Sequence, residues 1–259
     1  MGARLLERLD YVKIAPRRIL DAGSGPARET QALARRYRGA QVVALDFALP
    51  MLPRRGPIDR WLGRGVIPVC GDFQRLPFAA ASVELVWCNL ALHWVSDPLA
   101  AFREFDRVLA PEGLILFSTL GPDTLKELRA AAGATRVHEF VDMHDLGDML
   151  LHAGFADPVM DQETLTLNWA SPQALLDELR SLGGNVSPQR PAGLRTPRWR
   201  ARLEREFDAL RGPDGRLSLR FEIAYGHAFK AAPRLQAGAP TTVSLDDMRA
   251  LVRSGAAKR

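Results

Sequence analysis

The stretch Leu20-Asp21-Ala22-Gly23-Ser24-Gly25-Pro26-Ala27-Arg28-Glu29 decides the fold. It passes from an apolar run into a turn with two glycines, and then into a helical pattern that starts near Glu29. A glycine turn leaving a buried strand lets the backbone approach a ligand closely, and the following helix presents its unpaired N–H groups at the same place. By itself such a turn suits a dinucleotide enzyme equally, or a tight strand-to-helix turn that binds nothing. Spacing narrows the choice. A dinucleotide fingerprint calls for a third glycine three residues after Gly25, where this chain has Arg28. The turn carries no lysine followed by serine or threonine, which excludes a P-loop.

Outward from this turn, short apolar runs alternate with helical patterns, the signature of βα units and a parallel sheet. The runs Arg18 to Ala22, Gln41 to Asp46, Val66 to Gly71, Val83 to Cys88 and Gly113 to Thr119 read as strands, with helices over Glu29 to Tyr37, Leu99 to Leu109 and Thr124 to Ala132. The break Ala110-Pro111-Glu112-Gly113 stops a helix and turns the chain into the fifth strand. The second half changes character: a helix from Asp145 to Ala153 ends at Gly154, and a period-two stretch runs from Pro158 to Trp169. Two helices then start at Ser171-Pro172 and Thr196-Pro197, each with a capping hydroxyl and a proline in its first turn. A last strand runs from Leu217 to Phe229. The expected architecture is an α/β, Rossmann-like seven-stranded sheet, mostly parallel with an antiparallel last strand and helices on both faces. Residues 1–170 and 216–230 form its core, residues 171–215 a helical insertion placed to cover a substrate, and residues 231–259 a loose tail.

The 259 residues, 47% hydrophobic and 25% charged, suffice for one substantial core. No apolar run approaches the roughly 18 to 20 residues that span a bilayer, and no signal peptide opens the chain, so the expectation is a cytoplasmic protein without membrane association. The two cysteines, Cys70 and Cys88, lie in separate strand-like runs and are expected to be buried, reduced thiols. Five histidines without metal-ligand spacing argue against a metal site. A net charge of +5 suggests an acidic partner without pointing to nucleic acid.

Polar residues recur where the parallel strands end. Asp46 closes the second strand about twenty residues past the turn, where a carboxylate can take the two hydroxyls of a ribose. Gly71-Asp72-Phe73, with Leu76-Pro77-Phe78 behind it, follows the third strand and could bond and flank an adenine. The fourth strand ends in Asn89-Leu90-Ala91-Leu92-His93-Trp94. Each feature also has a plain structural reading, as a turn former, polar loop or core aromatic. Together with Asp21, Gly23 and Gly25 they converge on one crevice at the carboxyl edge of the sheet.

With these residues the chain resembles the class I S-adenosylmethionine-dependent methyltransferases over about residues 18 to 155. More narrowly, it is similar to the malonyl-acyl-carrier-protein O-methyltransferases of biotin synthesis. That resemblance rests on Leu45-Asp46-Phe47 with Pro50-Met51-Leu52, on Trp87 to Trp94, on Thr119 to Leu125, on Arg180 to Asn185 and on Tyr225 to Phe229. It implies S-adenosylmethionine as co-substrate, adds Phe47 and Met51 to its site, and implies a malonyl group on acyl carrier protein as acceptor. Two departures from the family are expected: its further aromatic-containing segment ahead of the first helix is not among these residues, so that either the start at Met1 is late or closure over the cofactor is achieved differently, and Ala27 replaces a third glycine. A malonyl carboxylate is ionised near neutral pH and needs no general base. Arg180 and Tyr225 are the candidates for aiming it, with His93, Trp94 and Trp169 lining the cavity. Arg195, Arg198 and Arg202, with Arg205, offer a basic face for an acidic carrier, although pairing of Arg200 and Arg202 with Glu204 and Glu206 competes. Two other readings remain open: an assembly factor resembling the arginine hydroxylase of respiratory complex I, suggested by Asp123 to Arg129 and Asp145 to Gly147, and another small-molecule methyltransferase, for instance of quinone synthesis.

Overall fold

The computed structural model describes residues 1–54, 56, 65–133, 137–181 and 196–232. In chain order they form α1 (Gly2–Arg8), β1 (Arg18–Ala22), α2 (Arg28–Arg36), β2 (Gln41–Asp46), β3 (Ile67–Cys70), β4 (Val83–Asn89), α3 (Pro98–Val108) and β5 (Leu109–Leu120). There follow α4 (Lys126–Ala132), α5 (Met143–Ala153), β6 (Phe155–Trp169), α6 (Pro172–Ser181), α7 (Pro197–Asp208) and β7 (Leu217–Lys230). The strands make one seven-stranded sheet in the order β3-β2-β1-β4-β5-β7-β6. β1 to β5 pair in parallel, while β7 runs antiparallel to both β5 and β6. The strand order reverses between β1 and β4, and a crevice opens there outside the carboxyl ends of the strands.

Alternation along the central strands sends neighbouring side chains to opposite faces, and both faces are covered. Leu20, Val86, Ile115 and Phe117 pack under Phe102 and Phe105 of α3 and Leu146 and Leu150 of α5. Ile19, Leu85, Trp87 and Leu116 pack under Leu5 of α1 and Leu33 of α2. The second cluster continues along the β6–β7 hairpin, where Leu217 and Leu219 meet Leu175 of α6 and Leu203 and Phe207 of α7. The helix starts carry the caps that the sequence signals: Asp97 Oδ1 accepts from Ala100 N at 3.0 Å, Ser171 Oγ from Ala174 N at 3.2 Å, and Thr196 Oγ1 from Trp199 N at 3.2 Å. The break at Ala110–Gly113 survives inside β5, with Glu112 at φ 62°. The period-two stretch begins earlier than expected, at Phe155, with Asp157 at φ 49° in an irregularity of the β6–β7 pairing.

One expectation fails. Cys88 is buried, but Cys70 is exposed, because β3 is an edge strand and Cys70 is its last residue. Residues 233–259, most of the expected tail, lie outside the described residues.

Candidate active site

The turn after β1 is fixed by backbone bonds to the neighbouring strand: Gly23 N and Ser24 N both donate to Leu45 O, at 2.8 and 2.9 Å. Gly23 sits at φ 75°, and a Cβ there would come within 2.2 Å of Ala91 Cβ, so only glycine closes the turn against the loop that follows β4. Gly25, at φ 51°, faces open space. Ser24 Oγ is buried and without a hydrogen-bond partner among the described residues.

Three carboxylates surround this turn. Asp21 is 2% exposed and accepts a hydrogen bond from Thr30 Oγ1, the one contact that stabilises its anion. Burial first, and then the charges of Glu29 and Asp46, push its pKa up to about 7. Asp46 is oriented by two backbone donors, Gly25 N to Oδ2 and Ala48 N to Oδ1, both at 2.8 Å. A carboxylate offers about four lone-pair directions, so Asp46 retains acceptor capacity for two hydroxyls. No cation pairs with Asp21 or Asp46 among the described residues. A pyrophosphate would be repelled here, whereas a cationic ligand would be attracted.

Along the same edge, Asp72 Oδ1 accepts from Gln74 N at 2.8 Å and shapes the loop after β3. That loop is tied down from α3: Glu104 Oε2 accepts from Leu76 N at 2.7 Å, and Arg107 donates to Phe78 O at 2.8 Å and Leu76 O at 3.0 Å. Phe73 is turned inward, 8% exposed, with its ring 5.7 Å from that of Phe105; it supports the glycine turn from below. Phe47 and Met51, by contrast, are exposed apolar side chains just past Asp46, at 80% and 51%. At the end of β4, Asn89 Oδ1 accepts from Ser118 Oγ at 2.8 Å. Beyond it, His93 and Trp94 stand with ring centroids 5.2 Å apart, and Phe140 meets the edge of His93 at 5.9 Å. Burial, with a smaller contribution from His138, lowers the His93 pKa to about 4, so its imidazole is uncharged at neutral pH.

Asp21, Gly23, Gly25, Asp46, Phe47, Asp72, Asn89, His93 and Trp94 thus belong to the strand ends and loops at one sheet edge. The expected carboxylate clamp is not assembled. Arg180 is exposed on α6 and pairs with Asp177 Oδ1, at 2.6 Å, on its own helix. Tyr225 is 1% exposed, and its hydroxyl donates to Glu163, at 2.5 Å, under a lid formed by Arg8 at 4.0 Å from its ring and Met1. A phenol already committed to a carboxylate has no donor left for a second one. Trp169 is also no cavity wall: it is 5% exposed, and its Nε1 donates to Glu178 at 2.6 Å, fastening α6 to the hairpin. On α7, Arg198, Arg202 and Arg205 are exposed while Leu203 and Phe207 face inward, as the spacing requires. Arg200 pairs with Glu204 at 2.8 Å, but Arg198 and Arg202 form no ion pair among the described residues. Arg195 lies outside the described residues.

The sequence reading missed Thr30 and Ser118, the partners of Asp21 and Asn89. Neither stands in a local motif, since each reaches its partner from a different element. It also missed Glu29 as part of the acidic ring, although its place in the first turn of α2 was a readable signal.

Residues 20–117 match the family model described as a methyltransferase domain. A malonyl-[acyl-carrier protein] O-methyltransferase of Gallionella capsiferriformans is 46% identical over 242 residues, spanning 90% of this chain and 83% of that protein. The protein of the same name from Halorhodospira halophila is 48% identical over 232 residues, spanning 87% of this chain and 78% of its own. Among solved structures, the YcgJ protein of Bacillus subtilis matches with a TM-score of 0.63 at 16% identity, over 89% of this chain and 99% of its own. The phosphoethanolamine N-methyltransferase 2 of Haemonchus contortus, in complex with S-adenosyl-L-methionine, matches with a TM-score of 0.56 at 18% identity, over 89% of this chain and 52% of its own. At these identities the structures speak for the fold. The sequence relatives favour a carboxyl methyltransferase over a complex I assembly factor.

Proposed function

This chain belongs to the malonyl-acyl-carrier-protein O-methyltransferase family, and from that premise we propose that it methylates the free carboxylate of a malonyl group on acyl carrier protein, an early step of biotin synthesis. The observation that carries the cofactor side of this reading is the ring of Asp21, Glu29 and Asp46 around the glycine turn, with Asp21 buried, Glu29 and Asp46 half-buried, and no cation paired with Asp21 or Asp46 among the described residues. S-adenosylmethionine, when bound, supplies an electrophilic methyl group on a cationic sulfur. The residues present fit it: Gly25 opens onto free space, the Ser24 hydroxyl has no hydrogen-bond partner among the described residues, and Asp46 has acceptor capacity for the ribose. Phe47 and Met51 offer apolar surface to the adenine, and Asp72 a polar edge.

For the acceptor, the chain's task is alignment and dehydration. A carboxylate near neutral pH is already the nucleophile, so no residue has to remove a proton. Its charge disappears as the ester forms, so apolar walls that exclude water raise the energy of the anion more than that of the transition state. The uncharged group of His93, Trp94 and Phe140 provides such a wall. α6 and α7 serve as a cover over the β6–β7 hairpin, and Arg198 and Arg202 on α7, which form no ion pair among the described residues, receive the acidic carrier. The enzyme works in the cytoplasm; no helix among the described residues is long and apolar enough to cross a membrane. Incubation with methyl-labelled S-adenosylmethionine and malonyl carrier protein tests the reading: label in a base-labile ester on the carrier is expected. Cofactor binding without transfer would refute it.

A further inference from the structure

His93 stands in the short 3-10 turn Leu92–Trp94 directly beyond the carboxyl end of β4, at the point where the sheet order reverses. Its Nδ1 is buried with no hydrogen-bond partner, and no hydrogen bond to either ring nitrogen occurs among the described residues. The ring packs against two aromatic neighbours: Trp94, with centroids 5.2 Å apart, and Phe140 in a T-shaped contact at 5.9 Å, itself 5.2 Å from His138. The segment bearing Phe140 is tied back by Arg129, whose Nη2 donates to His138 O at 3.2 Å. A neutral imidazole carries one N–H and one lone pair. Burying an unpartnered N–H costs more than burying an unpartnered lone pair, so the proton belongs on Nε2 and the lone pair on the enclosed Nδ1. His93 therefore has a single donor to offer, and no described residue accepts it.

We propose that the Nε2–H of His93 donates a hydrogen bond to the acyl substrate at its carboxylate, making His93 a substrate-orienting residue of the acceptor site. This rests on the reading of the protein as a malonyl carboxyl methyltransferase. An uncharged donor suits this chemistry better than an arginine or lysine would. A full positive charge would stabilise the carboxylate most while it is still an anion, and lose that stabilisation as the methyl group arrives; the gain would go to binding and not to rate. A neutral N–H orients the oxygen while leaving its electron density available. The desolvated ring, with a pKa lowered to about 4, is uncharged at neutral pH.

The test combines kinetics with the ring's own spectrum. His93→Phe keeps the aromatic wall and removes the donor, and His93→Gln restores a donor of similar reach. The Phe variant is expected to lose on the order of tenfold to a hundredfold in kcat/KM for malonyl carrier protein, the range of a hydrogen bond to a charged group, with S-adenosylmethionine affinity unchanged by calorimetry. The Gln variant should recover part of that loss. In ¹⁵N-histidine-labelled wild type, the His93 ring should show the Nε2–H tautomer, and its Nε2 resonance should move when malonyl carrier protein is added. A Phe variant as active as wild type, a parallel loss of cofactor affinity, or an Nδ1–H tautomer overturns the assignment. Wild-type protein that leaves malonyl carrier unmethylated refutes the functional reading beneath it; an Nε2 resonance that then also stays unmoved refutes the contact, and one that moves upholds it.

Discussion

Replacing Asp21 with asparagine separates what this residue costs the empty protein from what it contributes to cofactor binding. In the unfolded chain its carboxyl has an ordinary value near 3.8; in the fold, burial first and then Glu29 and Asp46 raise it to about 7. Below pH 4 the group is protonated in both states, and the raised value works in favour of the fold. As pH climbs, the unfolded chain gives up the proton first, so stability falls until the folded group also ionises near pH 7. The difference is about three powers of ten in proton affinity, or on the order of 4 kcal/mol at 1.36 kcal/mol each. Asp21→Asn keeps an acceptor for Thr30 and removes the charge. The ligand-free variant should therefore gain up to about 4 kcal/mol over wild type at pH 8 and almost nothing at pH 4. At roughly 2 °C per kcal/mol for a chain of this size, the pH 8 melting temperature rises by about 8 °C. With the anion gone, affinity for the cationic cofactor should fall at least about tenfold, the effect of one charge-assisted contact. Thermal melts at pH 5 and pH 8, with calorimetric titration of S-adenosylmethionine, decide the matter. A stability gap that does not widen with pH refutes the buried-charge argument, and an unchanged cofactor affinity removes Asp21 from the site.

Gly23→Ala forces a methyl group into Ala91 at a backbone φ of 75°, so urea unfolding should show a loss of at least about 2 kcal/mol, together with loss of cofactor binding. Ala27→Gly should be nearly neutral: relief of a left-handed alanine at φ 58°, worth about 1 kcal/mol, offsets the loss of a buried methyl worth about 0.8 kcal/mol. A loss above about 2 kcal/mol in the same measurement would mean that packing against Ala44 and Leu52 dominates. Arg198→Glu with Arg202→Glu should raise the KM for malonyl carrier protein about tenfold at low salt and converge on wild type near 1 M salt, with cofactor affinity unchanged; a salt-independent KM would exclude α7 as the docking face. Arg107→Ala frees the Leu76 and Phe78 carbonyls and Glu104, and should cost about 1 to 2 kcal/mol in urea unfolding while weakening cofactor binding at the loop after β3.

The gathering of the glycine turn, Asp46 and Asp72 at one sheet edge was legible because its signals are local. A glycine turn, a strand-ending Asp46 and a loop-opening Asp72 each sit next to the backbone they shape, so spacing alone placed them at one edge. The surroundings of Tyr225 and Trp169 were not, because those side chains are claimed by distant partners. Nothing near Tyr225 in sequence announces Glu163, 62 positions away, and nothing near Trp169 separates a cavity wall from a hook for Glu178. Cys70 was misjudged for a related reason: its run is as apolar as that of Cys88, and only the strand order reveals that one strand is an edge and the other central. The place of His93 beyond the fourth strand was readable, but its unpartnered Nδ1 becomes visible only when the hydrogen bonds of the described residues are accounted for.

The place of β7 between β5 and β6 bears on how the chain assembles as it leaves the ribosome. Among the described residues β6 pairs with β7 alone, and 47 residues separate the end of β6 at Trp169 from the start of β7 at Leu217. While the intervening helices are being made, β5 and β6 both present open backbone edges, the kind of surface on which nascent chains associate wrongly. One strand, arriving after all the others, closes both edges at once, and the same strand brings His227 and Tyr225 beneath α1 at the opposite end of the chain. Truncation ahead of Leu217 should therefore yield not a smaller enzyme but an aggregating one, and quality control in the cell has a single late event to sense.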